Sequence, residues 1–122
     1  IVDCAGSSAI FHESVVTYAN EAKEKYLGVR HETLEQFGAV SRETAREMAE
    51  GIRKKSGADF GVGITGLAGP DGGTKEKPVG LVYVGIADQN GTEILELHLA
   101  GNREKVRYSA CMHAFFAIYQ RT

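Results

Sequence analysis

The chain has 122 residues, of which 43% are hydrophobic and 25% are charged, and its net charge is −2 at neutral pH. This length and composition are typical of one globular domain with a single core. The nearly balanced charge, without a basic stripe, argues against a nucleic-acid-binding protein. No apolar run approaches the roughly 18 residues of a membrane span, and the first residues lack the features of a signal peptide, so no membrane partner is expected.

Cysteine and histidine spacing argues against a metal centre. Cys4 and Cys111 are the only cysteines, and their separation fits neither a zinc site nor a redox CxxC motif. We expect two reduced, partly buried thiols, which suits a cytoplasmic protein. The four histidines show no ligand spacing, so the sequence predicts no metal and no cofactor.

The beginning of the chain predicts a short helix and then a strand. Residues 6–11 resemble a turn into a helix, with Ser7 or Ser8 as its cap. The run 14–18 (SVVTY) is β-branched and aromatic, which favours a strand.

Three helices are predicted after this strand. Asn20 is placed to cap the first, which should end at Gly28. A short second helix is expected over about 31–37. Ser41 opens the clearest helix, whose apolar residues recur at helical spacing and which should end near Gly57.

The second half of the chain predicts three strands. Residues 59–65 (DFGVGIT) favour a buried strand whose glycines imply close approach of another backbone. Residues 79–87 predict a second buried strand. Residues 88–91 (DQNG) predict a hairpin turn, and the alternation over 92–99 predicts a half-exposed antiparallel strand.

A final helix is expected from a cap at Asn102 to about Tyr119. Its predicted inner stripe comprises Val106, Ala110, His113, Ala114 and Ala117. The order of elements therefore predicts an α/β fold, a single layered domain with a mixed β-sheet flanked by helices.

The glycine-rich segment 65–80 (TGLAGPDGGTKEKPVG) is the strongest candidate site. It holds five glycines and both prolines of the chain. Glycine lets a ligand approach the main chain, and successive backbone N–H groups in such turns bind anions. The alternative is a mobile connection without a ligand. The expected substrate-binding residues here are Thr65, Gly66, Gly69, Pro70, Gly72, Gly73 and Thr74.

A second candidate lies where the predicted strand 14–18 meets the following helix. Thr17, Tyr18 and Asn20 occupy the junction, and Lys23 lies one turn into the helix. A lysine there could act as a base if desolvation lowers its pKa. Spacing alone favours a solvated helix lysine instead.

A third candidate is Arg103, which follows the cap at Asn102. An arginine at a helix start can bind a phosphate or carboxylate. Spacing alone favours a capped surface helix, as for the lysine.

Several motifs together resemble one known family, the CinA C-terminal domain. The matching segments are GSS, VVTYANEAK, GAVS, ITGLAGPDGGTKEKPVG and GNREKVR, at 6–8, 15–23, 38–41, 64–80 and 101–107. The resemblance covers essentially the whole chain, and the long glycine-rich motif is very specific.

This resemblance implies an amidohydrolase that converts nicotinamide mononucleotide and water to nicotinic acid mononucleotide and ammonia. The family is described as using a serine nucleophile with a lysine partner and no metal. By motif position the lysine is Lys23, with Tyr18 as the neighbouring polar group, and 65–80 becomes a wall of the substrate site. The implied partner is a small pyridine nucleotide, and the resemblance leaves a homo-oligomer open.

The sequence departs from the family at one point. The family's nucleophilic serine lies in an ESCTGG motif that precedes the GSS segment, and residues 1–122 contain no ESCTGG. Ser7 and Ser8 are not that serine. We therefore expect a truncated domain that lacks an N-terminal helix, a strand and the serine, and that is inactive by itself. A nucleotide-binding or regulatory module without catalysis is the alternative, and a competence-linked interaction protein is a weaker one.

Overall fold

The computed structural model describes residues 1–122. A short 3₁₀ turn, Ser7–Ala9, precedes four α-helices and three β-strands. In chain order these are α1 (Asn20–Leu27), α2 (His31–Phe37), α3 (Arg42–Ser56), β1 (Gly61–Gly66), β2 (Leu81–Asp88), β3 (Gly91–His98) and α4 (Arg103–Arg121). None of these helices combines the length and the apolar character needed to cross a membrane.

The three strands form one sheet in the order β1-β2-β3, and both pairings are antiparallel. The predicted α/β class and single layered domain are confirmed, but the sheet is antiparallel where a mixed sheet was expected. The reason is local, because each strand is joined to the next by a reversal rather than by a crossover helix. The turn between β2 and β3 is the predicted one, in which Asp88 pairs with Gly91 and its carboxylate accepts from the N–H of Asn90.

Glycines on the sheet allow α3 to pack unusually close to it. A Cβ on Gly63 would lie 2.7 Å from the carbonyl oxygen of Ala45, and one on Gly85 would lie 2.5 Å from the same oxygen. A Cβ on Gly61 would collide with the carbonyl of Ala49. The close backbone approach that the glycines predict is therefore made by α3.

The opposite face of the sheet carries the main core, which α4 covers. Its buried members are Val82, Val84, Ile86, Val106, Ala110, Ala114 and Ala117. The leucines of β3 pack against this cluster, as their alternation predicts. His113 is the exception in the predicted stripe, because it is exposed at the edge of α4.

A second cluster joins the three N-terminal helices. Leu27, Val29, Leu34 and Met48 are its buried members, and Val15 packs against them. Gly51 makes this contact close, since a Cβ there would collide with the backbone of Leu27.

The predicted strand over 14–18 is wrong, because these residues form no strand. The residues still alternate, with Val15 half-buried, Val16 exposed, Thr17 buried and Tyr18 exposed. A strand requires a hydrogen-bonded neighbour, and none pairs with this segment. This segment thus has the alternating side-chain burial of a strand but not the backbone hydrogen bonds to a neighbouring strand.

Two of the predicted helix caps are confirmed and two are wrong. Ser41 accepts from the N–H of Thr44 and Asn102 from that of Lys105, as capping residues do. The first predicted helix is only the turn Ser7–Ala9, which follows Gly6 and has no side-chain cap. The cap of α1 is Ala19, so that Asn20 is the first helical residue instead.

Both cysteines differ from expectation. Cys4 and Cys111 are free thiols, but each is exposed rather than partly buried. Cys111 lies on α4 outside the stripe that faces the core, and Cys4 lies in the N-terminal turn.

Candidate functional site

Lys23, the fourth residue of α1, is buried, with 6% of its surface exposed. Its ammonium group donates to the carbonyl oxygen of Thr17 at 2.8 Å and to that of Tyr18 at 3.4 Å. It forms no ion pair with a carboxylate. The solvated helix lysine that spacing alone favours is therefore not what the chain builds.

Burial lowers the pKa of Lys23 below its ordinary value, and no neighbouring charge contributes to the shift. Desolvation disfavours the ammonium form, whereas an adjacent carboxylate would have favoured it. The geometry thus increases the fraction of neutral amine, which is the form that can accept a proton.

The irregular segment before α1 creates this environment. Ala19 has an extended backbone and the helix begins at Asn20. Because no strand pairs with residues 14–18, the carbonyls of Thr17 and Tyr18 have no strand partners. Lys23, one turn further on, satisfies them. Thr17 is itself buried, whereas the Tyr18 ring is 83% exposed. Because the segment 14–18 forms no strand, two of its carbonyl oxygens are available to accept hydrogen bonds from the buried amine of Lys23.

Tyr18 connects this corner to two distant parts of the chain. Its hydroxyl accepts a hydrogen bond from Nη2 of Arg103 at 3.3 Å. Nη1 of the same guanidinium donates to the carbonyl oxygen of Gly69 at 3.0 Å. The first turn of α4, the end of the extended segment and the glycine-rich loop are thereby joined at one point.

The glycine-rich loop extends the strand ladder before it turns away. The N–H of Leu67 donates to Leu81, that of Gly80 donates back to Leu67, and that of Leu99 donates to Gly80. These bonds close the base of the loop like an extra rung on each side of β2. The loop is therefore anchored at its base rather than free along its whole length.

A tight turn forms the far end of the loop. The N–H of Thr74 donates to the carbonyl of Lys77, and the N–H of Lys77 donates to the hydroxyl of Thr74 at 3.0 Å. The Lys77 ammonium then reaches the carbonyl of Phe37 at the end of α2, at 2.6 Å. Lysine is favourable there because the C-terminal carbonyls of a helix carry partial negative charge.

Most of the predicted site glycines are also required by close packing within the loop and against the neighbouring strand. A Cβ on Gly69 would lie 2.5 Å from a methyl group of Val79, and one on Gly73 would lie 2.9 Å from the Val79 nitrogen. A Cβ on Gly66 would lie 2.7 Å from the Val82 side chain. Gly72 alone among the predicted site glycines has only an ordinary contact, 3.7 Å from Leu67.

Thr65 lies buried near the end of β1, and its hydroxyl is bonded to the segment 38–41. The hydroxyl donates to the carbonyl oxygen of Ala39 at 2.6 Å. Ser41 and Thr44 both donate to the neighbouring carbonyl of Gly38. The GAVS segment is thus held by hydroxyl groups from both sides, which explains three threonine or serine side chains in the interior.

The structure joins five of the predicted site residues through hydrogen bonds. These are Thr17, Tyr18, Lys23, Gly69 and Arg103. Thr65 and Gly66, the first two residues of the glycine-rich segment, lie at the end of β1, and Pro70 follows Gly69 directly. No hydrogen bond joins Asn20, Gly72, Gly73 or Thr74 to the five.

Two contacts at the site went unpredicted from sequence. The carbonyls of Phe37 and Ala39 bind Lys77 and Thr65. Both are main-chain groups, which have the same chemistry in every residue, so no side-chain pattern could have indicated them.

Comparison with known proteins gives a consistent picture. The family model described as the CinA C-terminal domain matches residues 1–122. A CinA-like protein from Syntrophomonas wolfei is 57% identical over 114 residues, which are 93% of this chain and 27% of that protein. This chain therefore spans little more than a quarter of the length of that relative.

Solved structures resemble the fold over almost the whole chain. The competence/damage inducible protein CihA from Agrobacterium tumefaciens is 42% identical with a TM-score of 0.92, over 99% of this chain and 75% of that one. The competence damage-inducible protein A (ComA) from Klebsiella pneumoniae is 35% identical with a TM-score of 0.93, over 98% and 74%.

Proposed function

This chain belongs to the CinA C-terminal domain family, and from that membership we propose that it is an amidohydrolase domain acting on nicotinamide mononucleotide. The reaction consumes water, releases ammonia and leaves nicotinic acid mononucleotide. The observation that carries the proposal is Lys23, a buried lysine with a lowered pKa and no carboxylate partner. Perturbed groups of this kind are concentrated at functional sites.

In the proposed mechanism Lys23 is the general base for a serine that lies outside residues 1–122. The serine oxygen adds to the amide carbonyl carbon while the neutral amine of Lys23 accepts the serine proton. The same proton passes to the leaving nitrogen as the carbon–nitrogen bond breaks and ammonia departs. A water molecule then cleaves the acyl-enzyme, again with its proton accepted by Lys23, and the serine is regenerated. Residues 1–122 alone should therefore release no ammonia.

Tyr18 and Arg103 support this role by their positions. Tyr18 contributes a carbonyl to Lys23 and a hydroxyl to the Arg103 guanidinium. The guanidinium also holds the carbonyl of Gly69. We assign these residues to holding the base and the loop in register, and the loop from Thr65 to Gly80 to binding the nucleotide.

Substrate binding is assigned to the first part of the loop and its neighbours. The proposed residues are Thr17, Asn20, Thr65, Gly66, Gly69, Pro70, Gly72, Gly73, Thr74 and Arg103. The exposed turn around Gly72 supports this assignment, since its backbone is open to solvent and consecutive N–H groups in such turns favour anions.

The test uses a protein in which residues 1–122 follow a segment that contains the family's ESCTGG motif. Lys23→Ala and Lys23→Arg are compared with wild type for ammonia release from nicotinamide mononucleotide. Both should lose at least about 1,000-fold in kcat/KM, because alanine has no base and arginine remains protonated. Lys25→Ala is the matched control, since Lys25 lies on the exposed side of the same helix.

Two outcomes would contradict the proposal. If Lys23→Ala retains near-wild-type turnover, the lysine is not the base. If the intact wild-type protein binds the nucleotide and releases no ammonia, the domain is a binding module rather than an amidase.

A further inference from the structure

The end of α2 presents three consecutive carbonyl oxygens, each of which accepts hydrogen bonds from the side chains of a different segment. The carbonyl of Phe37 accepts from the ammonium of Lys77 at 2.6 Å. The carbonyl of Gly38 accepts from two hydroxyls at the start of α3. The carbonyl of Ala39 accepts from the hydroxyl of Thr65, also at 2.6 Å. This one short segment therefore binds two positions of the glycine-rich loop and the first turn of α3.

Thr65 and Lys77 lie near the two ends of the glycine-rich loop. Between them, a side-chain hydrogen bond fastens the loop at one further point, where the carbonyl of Gly69 accepts from Arg103 at 3.0 Å. No side chain from 70 to 76 forms a hydrogen bond outside the loop's own turn. The Lys77 contact is therefore the attachment that holds this turn from its far side.

The end of α2 belongs to the same helical unit as Lys23. Leu34, one turn before Phe37, is buried in the cluster to which α1, α2 and α3 all contribute. Lys77 thus ties the far end of the loop to this unit, while Arg103 ties an earlier part of the loop to the corner beside Lys23. The turn that we assign to nucleotide binding lies between these two attachments.

The contact requires a long amine and, opposite it, a residue without a side chain. A Cβ on Gly38 would lie 3.1 Å from Nζ of Lys77, which is tighter than ordinary van der Waals contact. Gly38 also has a φ of 82°, a left-handed value that favours glycine. Lys75, the other lysine of the turn, is exposed and forms no hydrogen bond. The position of Lys77, and not merely the presence of a charge in the turn, therefore makes the attachment.

We propose that Lys77 is a positioning residue, which holds the glycine-rich loop against the end of α2 and so prepares the loop to bind the nucleotide. The identity of the ligand rests on the proposed function, whereas the attachment of the loop does not. A loop that is already ordered loses less conformational entropy on binding, so loss of the attachment should weaken binding. Lys77 forms no hydrogen bond with Lys23 or with its carbonyl partners, so the chemical step should change little.

The first test measures amide hydrogen exchange in the ligand-free protein that includes the ESCTGG segment. The amide of Thr74 donates to the carbonyl of Lys77, and in Lys77→Met it should exchange about ten-fold faster, because a charged hydrogen bond no longer holds the turn. The amide of Gly80, in the closed base of the loop, should keep its wild-type rate. Lys75→Met is the matched control, since it removes the same charge from the same turn, and its Thr74 amide should exchange as in wild type.

The second test compares the kinetics of ammonia release from nicotinamide mononucleotide. Lys77→Met should raise KM about ten-fold and change kcat by less than about three-fold, since only the order of the free loop is lost. Lys54→Met is the control, because it removes a lysine from the last turn of another helix, α3, and it should leave both constants unchanged.

The two tests together can overturn the role of Lys77. A wild-type exchange rate at Thr74 in Lys77→Met shows that the lysine does not hold the loop. Faster exchange with an unchanged KM, or a loss confined to kcat, shows that the attachment does not serve binding. A wild type that releases no ammonia contradicts the proposed amidase instead, and faster exchange in Lys77→Met still supports the attachment. Calorimetric affinity for nicotinamide mononucleotide then replaces KM, and equal affinities of wild type and Lys77→Met overturn the role in binding.

Discussion

Arg103 and Tyr18 are 85 positions apart in the chain, yet the guanidinium of one donates a hydrogen bond to the hydroxyl of the other at 3.3 Å. The second arm of the guanidinium holds Gly69. This one side chain therefore fastens the start of the last helix to the two segments that surround the candidate site.

A double-mutant cycle should measure that contact. Tyr18→Phe and Arg103→Met are expected to couple by about 1 kcal/mol in the free energy of unfolding, since each removes the same hydrogen bond. The cycle of Tyr18→Phe with Arg107→Met is the control and should couple by less than about 0.5 kcal/mol. Urea unfolding of the intact protein supplies the four free energies. Equal coupling in the two cycles would show that the Arg103–Tyr18 bond contributes nothing to stability.

The pH dependence of turnover should report the lowered pKa of Lys23. A base must be neutral, so kcat/KM is expected to rise with pH and to level off above the pKa of Lys23. Because burial lowers that pKa, the plateau should be reached at a lower pH than for an ordinary lysine, whose pKa is about 10.4. Ammonia release at subsaturating nicotinamide mononucleotide measures the profile. A kcat/KM that still rises in proportion to hydroxide at that pH argues for an ordinary, solvent-exposed lysine.

Lys23 should also make the free energy of unfolding depend on pH. Between the lowered folded pKa of Lys23 and its unfolded value near 10.4, the unfolded chain binds more protons than the folded one. The free energy of unfolding is therefore expected to increase as pH rises through this window. Lys23→Met should remove the increase, and Lys25→Met should leave it unchanged.

Measurements for this comparison are best kept below about pH 10. Burial, together with the nearby Glu96, raises the pKa of Tyr83, so the folded state holds that proton after the unfolded chain loses it near pH 10. Stability falls with pH there for a reason unrelated to Lys23. Urea unfolding at half-unit pH steps from 6 to 10 would test the slope, and a wild-type slope identical to that of Lys23→Met would contradict the assigned shift.

Two neighbouring glycines should respond differently to the same substitution. Gly72 and Gly73 both have positive φ, 78° and 89°, so alanine strains either by about 1 kcal/mol. At Gly73 the new Cβ would also lie 2.9 Å from the backbone nitrogen of Val79, whereas at Gly72 it meets only Leu67 at 3.7 Å. Gly73→Ala is therefore expected to cost about 2 kcal/mol more in the free energy of unfolding.

Nucleotide binding separates the roles of these two positions further. Gly72→Val should weaken binding of nicotinamide mononucleotide, because its side chain would cover backbone that faces solvent. Its β-branched side chain at positive φ should also cost more stability than that of Gly72→Ala. Calorimetric titration provides the affinity. Unchanged affinity in Gly72→Val would remove Gly72 from the proposed binding surface.

Local patterns in the sequence predicted most of the fold. Helix α3 begins at its Ser41 cap and ends at Gly57, α2 ends at Gly38, and the hairpin between β2 and β3 follows from its turn residues. The run 14–18 failed because β-branched residues report only a preference for extended backbone, whereas a strand also depends on a neighbour.

The candidate site was less predictable because its geometry depends on long-range contacts. Nothing in the spacing around Lys23 indicates burial, and its environment is made by main-chain carbonyls. Arg103 likewise has the pattern of a surface helix start until the fold brings Tyr18 and Gly69 beside it. Position near a helix start made Lys23 and Arg103 candidates, and the family resemblance favoured Lys23. The burial of Lys23 and the contacts of Arg103 follow only from the fold.

The glycines described above limit how this domain can be stabilised by design. Replacing glycine with alanine commonly stabilises a protein by restricting its unfolded chain, provided that the folded backbone accepts the new side chain. Ten of the fifteen glycines here have positive φ, and a Cβ on any of the other five would collide with a neighbour. That route is therefore closed, and an engineer would have to gain stability from the helices instead.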